Sequence, residues 1–476
     1  MPIARTALTV TLAIALAACG GGDGGGTAAA PPSSGGSSGG TTTQGGCSLA
    51  ERQQFVLDVM DEWYLFPNLL DRNVDPASFT DLQSYIDALV APARAQSRDK
   101  FFSFITSIEE ENRLINSGSN AGFGIRLAYD TNANRVFILE AFENAPAFPA
   151  GMDRGSELLQ IGSQTVSSLM ASGGPGAVVD ALGPTDPGVA RQLSFTDASG
   201  ATVTATITKA EFALDPISDR YGVEILNDGT EDVGYINLRT FIVENAGPQL
   251  RDAFQQFQTQ GIDKVILDLR YNGGGLVSVA ELLGDLMGAG RQGQVFSNTI
   301  LRESKSSENE TRLFAQQPEA IGVTKLAIIG RRGTASASEL VTNSFIPFLG
   351  ADLALIGENT SGKPVGQFGF DRTACDDRLR AVTFQTTNAD DEGEYFTGLA
   401  SVVDTTCRAE DDFDTPLGDA GEASISVALD FMAGRTCTPI ITEQPQGSQT
   451  AQSVGGMRMM EPERPTAAQR EMPGLF

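Results

Sequence analysis

The chain is 476 residues long, enough for roughly two to four domains, and contains no histidine. Without imidazole there is no Ser-His-Asp or Cys-His hydrolase site, no HExxH site and no histidine-ligated zinc, copper or haem, so any general base must be Lys, Asp, Glu or Tyr. Asp+Glu total 60 against Lys+Arg 33, a formal net charge of −27 that repels phosphate backbones and excludes a broad nucleic-acid-binding surface.

At the start, Arg5 precedes an apolar run from Ala7 to Ala18 that is too short to span a bilayer, as in the signal peptide expected over 1–18. Leu16-Ala17-Ala18-Cys19 resembles the bacterial lipobox, which implies cleavage before Cys19, its acylation and a periplasmic lipoprotein of a Gram-negative-type bacterium. Gly20 in place of Asp favours the outer membrane. Residues 19–46, rich in Gly and Ser, read as a flexible tether. The remaining cysteines suit two disulfides in an oxidising compartment. The expected pairs are Cys375–Cys407, across an acidic loop, and Cys47–Cys437, joining the ends of the folded body.

Over 47–117 apolar residues recur at helical spacing (Phe55, Val56, Val59, Met60, Trp63; Leu82, Ile86, Leu89; Phe101, Phe104, Ile105, Ile108), which predicts a small helical domain with Trp63 in its core. From 118 to 217 short β-type runs alternate with turns, with a helix near Ala177–Leu182. The string AGMDRGSELLQIGSQTV resembles the centre of a PDZ domain. AGFGIRL at 121–127 resembles its carboxylate-binding loop and edge strand, which implies that Gly122, Phe123, Gly124 and Ile125 receive a peptide's end. From 218 to 437 strands such as VGYINL, DKVILDLR, TKLAIIG and LALIG alternate with helices, giving an α/β layered core. The tail 438–476, without period and rich in Pro, Gln and Gly, is expected to be disordered. The fold class is multidomain α+β.

With no imidazole, a nucleophilic hydroxyl is best activated by a buried neutral lysine. Of six lysines, Lys100, Lys209, Lys264, Lys305 and Lys325 fall in the helical domain, the β-domain, strand starts or a charged loop. Lys363 stands in a Gly-containing loop between two apolar strands, downstream of the strand-turn-helix TKLAIIGRRGTASASELVTNSF. RRGTASASEL, followed by IGENTSGKPVGQ and preceded by VILDLRYNGGGL, resembles the carboxyl-terminal-processing (tail-specific, S41-type) serine peptidases. The resemblance implies a core related to the ClpP/crotonase fold, no cofactor or metal, and protein or peptide substrates with free C-termini.

Residue by residue it implies Ser336 as nucleophile, Lys363 as base with Gln367 as its positioning partner, and backbone N–H groups of Gly275 and Ala337 as the oxyanion hole. Two departures stand out: GKPVGQ replaces the usual GKGTVQ, and the Ser336-to-Lys363 separation of 27 is about two residues long, whereas Ser338 as nucleophile would restore the usual spacing. The extra residues are expected around Phe348–Leu353. Alternative readings are a catalytically silent PDZ-type binding lipoprotein and, less compatible with export, a crotonase-like acyl-CoA enzyme. The oligomeric state is left open.

Overall fold

The computed structural model describes residues 46–441 and 457–476. The signal peptide, Cys19 and residues 20–45 of the tether lie outside the described residues.

Helix α1 (Leu49–Trp63) starts from a Ser48/Glu51 capping box, and α2 (Leu82–Leu89) and α3 (Ala91–Ala95) follow. The expected helical periodicity fails at Phe104–Ser107, which is strand β1: its aromatic and β-branched residues pair with Asp377–Arg380 instead of continuing a helix. Helix α4 (Ile108–Ser117) closes the segment at Gly118, whose φ of +64° ends the helix. Trp63 is buried, edge-on to Phe368 and with the Lys305 ammonium 3.8 Å from its ring centroid, so it is a packing residue as expected.

The next unit holds β2 (Ser119–Gly122), β3 (Ile125–Asp130), β4 (Arg135–Ala141), β5 (Glu157–Ile161), β6 (Gln164–Thr165), helix α5 (Val166–Leu182), β7 (Ala190–Thr196), β8 (Thr202–Thr208) and β9 (Ala210–Ala213). Strands β3, β4, β5, β7 and β8 form an antiparallel sheet in that order, with β6 on β5. Helix α5 seals a core that includes Ile125, Leu127, Ile138, Leu158, Val178 and Leu193.

The α/β layer follows: β10 (Val223–Asn227), β11 (Asp232–Asn237), α6 (Ala246–Gln260), β12 (Lys264–Asp268), α7 (Val277–Met287), β13 (Val295–Leu301), β14 (Glu310–Leu313), β15 (Lys325–Gly330), α8 (Ala337–Leu349), β16 (Leu353–Gly357), β17 (Val365–Arg372), β18 (Asp377–Thr387), β19 (Thr405–Arg408) and α9 (Ala423–Met432). Strands β11, β12, β15, β16 and β19 run parallel, with β10 antiparallel at one edge. Alternation along these strands sends Val265, Leu267, Leu326 and Ile328 toward α6–α8, and Ile266, Ala327 and Ile329 toward α9. A second, antiparallel sheet joins β1, β18, β13 and β14, with β17 on β18. The N-terminal helices share one apolar core with β17 and β18 instead of enclosing one of their own.

The tail departs from expectation. Residues 457–476 are ordered as β20 (Met457–Met459), paired with Ala128–Asp130 of β3, and a short helix α10 (Ala467–Glu471). Composition hid this because the tail is held by partners: the open edge of β3 supplies the pairing, and Met460, Met472, Leu475 and Phe476 are buried.

The disulfides are also corrected. They join Cys47–Cys375 and Cys407–Cys437, not Cys375–Cys407 and Cys47–Cys437. Helix α1 lies on the β17–β18 sheet and brings Cys47 to the turn that carries Cys375, while the segment after α9 runs back beside β19, Arg408 N–H donating to Thr438 O. Non-reducing peptide mapping should recover these two pairs, and Cys47→Ala with Cys375→Ala should cost about 2–5 kcal/mol of stability. A 375–407 linked peptide would contradict the structure.

Candidate active site

Strand β15 ends at Gly330, and the turn into α8 is fastened to its neighbours: Thr334 Oγ1 donates to Leu269 O at 2.7 Å and Ser361 N–H to Thr334 O at 3.0 Å. Ser336 immediately precedes α8 with φ +55° and ψ −115°, a left-handed backbone that costs of order 1–3 kcal/mol in a non-glycine residue and is held only because its surroundings fix it. Its side chain is half-buried. Ser338 is fully buried, and its hydroxyl is committed to Asn272 O at 3.1 Å. The two serines are therefore distinguished by access.

Glu339, at the third position of α8, organises the site. Its carboxylate is fully buried and takes four donors: Ser336 N–H at 3.1 Å and Lys363 N–H at 2.8 Å on one oxygen, Gly362 N–H at 2.7 Å and Thr360 Oγ1 at 2.5 Å on the other. The backbones of Ser336 and Lys363 thus converge on a single oxygen despite a separation of 27 in sequence, bridged by α8, a one-turn link at Gly350–Asp352, β16 and the loop to β17. Burial nonetheless holds the Glu339 carboxyl above the usual range, against the pull of its donors. Sequence reasoning gave Glu339 no role. Its signal was the Ser-x-x-Glu spacing of a capping box, which ordinarily means only a helix start.

Lys363 is buried, with its ammonium 5.2 Å from the Phe102 ring centroid. Burial lowers its pKa, with Glu471 pulling the other way and Arg470 reinforcing the shift. Among the described residues no hydrogen bond or ion pair engages Nζ. Gln367 is not bonded to the lysine as expected: its side chain reaches Phe102 O at 2.6 Å and fixes the wall that Lys363 faces. Lys100, assigned by sequence only to the helical segment, also belongs here. Its ammonium donates to Ser361 O at 2.6 Å and Phe396 O at 2.9 Å, clamping the loop that carries Lys363.

The Asn272–Gly275 turn lies against Ser336. Asn272 Oδ1 accepts Gly274 N–H, and Asn272 O accepts Ala335 N–H as well as the Ser338 hydroxyl. The closest approach is made by Gly274, one position before the expected Gly275. A Cβ on Gly274 would fall 2.8 Å from Ser336 Cβ, whereas one on Gly275 would collide with Ile242 N at 2.2 Å. Among the described residues the N–H groups of Gly275 and Ala337 meet no acceptor. A cavity of about 550 Å³ opens beside this turn, with Gly273, Ala335, Lys363 and Gln367 on one side and Arg470 and Glu471 on the other.

The expected peptide-binding loop is occupied by the chain itself. Gly124 N–H and Ile125 N–H donate to the backbone oxygen of Phe476 at 2.8 and 3.2 Å, and Phe476 N–H returns to Ile125 O at 2.8 Å. A Cβ on Gly122 would meet Phe476 C at 2.9 Å. Phe123 is buried behind the loop.

A strained serine, an unpaired buried lysine and two backbone donors without acceptors among the described residues are thus gathered beside one cavity. Residues 232–396 match peptidase family S41, and residues 51–104 match the peptidase S41 N-terminal domain. The chain is 26% identical over 323 residues to a chloroplastic C-terminal processing peptidase of Tetradesmus obliquus, covering 62% of this chain and 65% of that one. It is also 26% identical over 263 residues to a carboxyl-terminal-processing protease of Synechocystis sp., covering 54% and 56%. The matched part thus spans less than two thirds of these relatives' own length. A crystal structure from Bacteroides fragilis ascribed to the S41 proteases shares the fold, with a TM-score of 0.63 and 23% identity over 80% of this chain and 97% of that one. By these matches residues 51–104 and 232–396 carry the peptidase S41 pattern, and the chain is similar to the carboxyl-terminal-processing peptidases.

If Glu339 sets the spacing of Ser336 and Lys363, Glu339→Gln should lower turnover by about 10²-fold, the scale of a 1 Å misplacement, with an unchanged circular-dichroism spectrum. Ser338→Ala should instead cost about 1 kcal/mol of stability and retain activity. Loss of turnover in Ser338→Ala alone would reverse the choice of serine.

Proposed function

We propose that the chain is an exported, lipid-anchored serine endopeptidase that binds protein C-terminal segments on the PDZ-like 118–217 sheet and cleaves a bond upstream with a Ser336–Lys363 dyad. The observation that carries this reading is the convergence of Ser336 and Lys363 N–H groups on one Glu339 oxygen, beside a cavity in which the lysine is buried and unpaired. Neutral Lys363 Nζ accepts the proton of Ser336 Oγ as Oγ attacks the scissile carbonyl. The N–H groups of Gly275 and Ala337 receive the oxyanion, with Gly274 supplying the close approach. Lys363 then gives its proton to the leaving amine, and a water deprotonated by the same amine hydrolyses the ester. Gln367 acts through Phe102, and Lys100 holds the loop. Acylation of Cys19 in a Gram-negative-type periplasm, at the outer membrane, completes the proposal.

Lys363→Ala and Ser336→Ala should each lower peptidase turnover by about 10²–10⁴-fold while leaving the fold intact. A fluorophosphonate probe should label the native chain and not Ser336→Ala. Because burial depresses Lys363, activity should rise with pH through an apparent pKa below the ordinary lysine value of about 10.4. Retained proteolysis in Lys363→Ala, or a pH profile unmoved by that change, would dismiss the dyad.

A further inference from the structure

The cavity beside the candidate site is lined in part by the chain's own residues 461–473. Met457–Met459 pair antiparallel with Ala128–Asp130, and Met460 N–H donates to Leu127 O at 2.9 Å. The segment then leaves β3, crosses the cavity at Lys363, and comes back to the same strand. Gly474 O accepts Leu127 N–H at 2.8 Å, and Phe476 bonds Gly124 and Ile125. The free edge of β3 is thereby filled twice by one segment. Over the site, Gly273 N–H donates to Glu471 O at 2.9 Å, and Glu471 is placed where its charge acts on Lys363. Arg126, fully buried on β3, donates to Pro473 O at 2.6 Å and to Tyr271 O at 3.0 Å, joining the segment to the turn before Gly273.

The segment is shaped to occupy and not to be cut. Residues 467–471 are helical, with a Thr466/Gln469 capping box, and Gln469 Nε2 donates to Leu475 O at 2.8 Å. A helix spends its own carbonyls internally and cannot lie as an extended strand along the Ser336 turn.

We infer that residues 457–476 are an intramolecular competitor: they fill the peptide-binding edge of β3 and the channel past Lys363, and a substrate must displace them. The inference rests on the peptidase reading above. A tether within the same chain gives an effective concentration of about millimolar, so a segment that binds in trans at about 10–100 μM would suppress activity by roughly ten- to a hundredfold.

The test compares the full chain, a chain ending at residue 456, and full-chain Phe476→Asp, which keeps the chain length should the truncation fold poorly. Both variants should label with fluorophosphonate and cleave an unfolded protein roughly ten- to a hundredfold faster than the native chain, and synthetic peptide 457–476 should return the truncated chain to the native rate competitively. Equal rates in all three, with unchanged circular dichroism, would overturn the inference. A second readout does not need catalysis: fluorescent peptide 457–476 should bind Ser336→Ala ended at residue 456, and should not bind Ser336→Ala of full length. Failure of labelling together with retained peptide binding would refute the peptidase reading and keep the competitor, whereas labelling without peptide binding would do the reverse.

Discussion

The site depends on one buried carboxylate. Glu339 joins the α8 start to the loop that follows β16, and no other described side chain receives hydrogen bonds from both Ser336 and Lys363. A buried carboxylate without donors is untenable, so the four donors it finds are obligatory and not decorative. Each donor is a backbone or hydroxyl group that could not be satisfied if either loop shifted. The left-handed backbone at Ser336 is a further cost that this network offsets, which is how a strained serine can persist at a helix start.

The 118–217 sheet is coupled to this site through buried ion pairs. Glu140 on β4 receives Arg126 at 3.1 Å and Arg239 of the α/β layer at 2.6 Å. Burial alone would raise its pKa, but Arg239 and Arg126 outweigh it and bring it to about 2. Arg154, between β4 and β5, donates to the Tyr271 hydroxyl and pairs with Asp411 at 2.8 Å, and Arg270 pairs with Glu422 at 2.7 Å. Desolvation leaves such pairs with little net stabilisation, yet removing one partner costs about 3–5 kcal/mol. Their effect is geometric. Arg126 and Arg154 both end on Tyr271, the residue before the Asn272–Gly275 turn, so a shift of the sheet is a shift of the turn that faces Ser336.

Much of this was legible in the residues. The absence of histidine selected lysine, the double-sided apolar strands announced the α/β layer, and the TASASE and NGGGL strings marked the two turns that do meet. What escaped had physical reasons. Glu339 stands at a capping-box position, which by itself marks only a helix start, and only the return of the Gly362–Lys363 loop onto its carboxylate gives it a second task. Phe104 and Ile105 fitted a helical repeat, but the edge of β18 offered a better use of aromatic and β-branched residues. Gln367 and Lys100 act through carbonyls far apart in sequence, which no local pattern encodes. Cysteine pairing followed the packing of α1 on β18 and of the 437–440 segment on β19, neither of which follows from loop composition.

With Lys363 as the proposed base, dryness becomes a condition of activity, and this connects the tail to the proposed chemistry. Lys363 is depressed chiefly because it is buried, and part of that cover is the segment at Arg470–Pro473. Glu471 works against the burial, since a carboxyl beside the amine favours its protonated form. A substrate backbone seated in the same channel would exclude water equally and bring no carboxylate to that position. Exchange of tail for substrate would therefore keep the cavity closed while removing two opposed charges, Glu471, which favours the ammonium form, and Arg470, which disfavours it. Burial is the largest cause of the depression and is common to tail and substrate, so an incoming peptide would supply the reacting bond without rewetting the base.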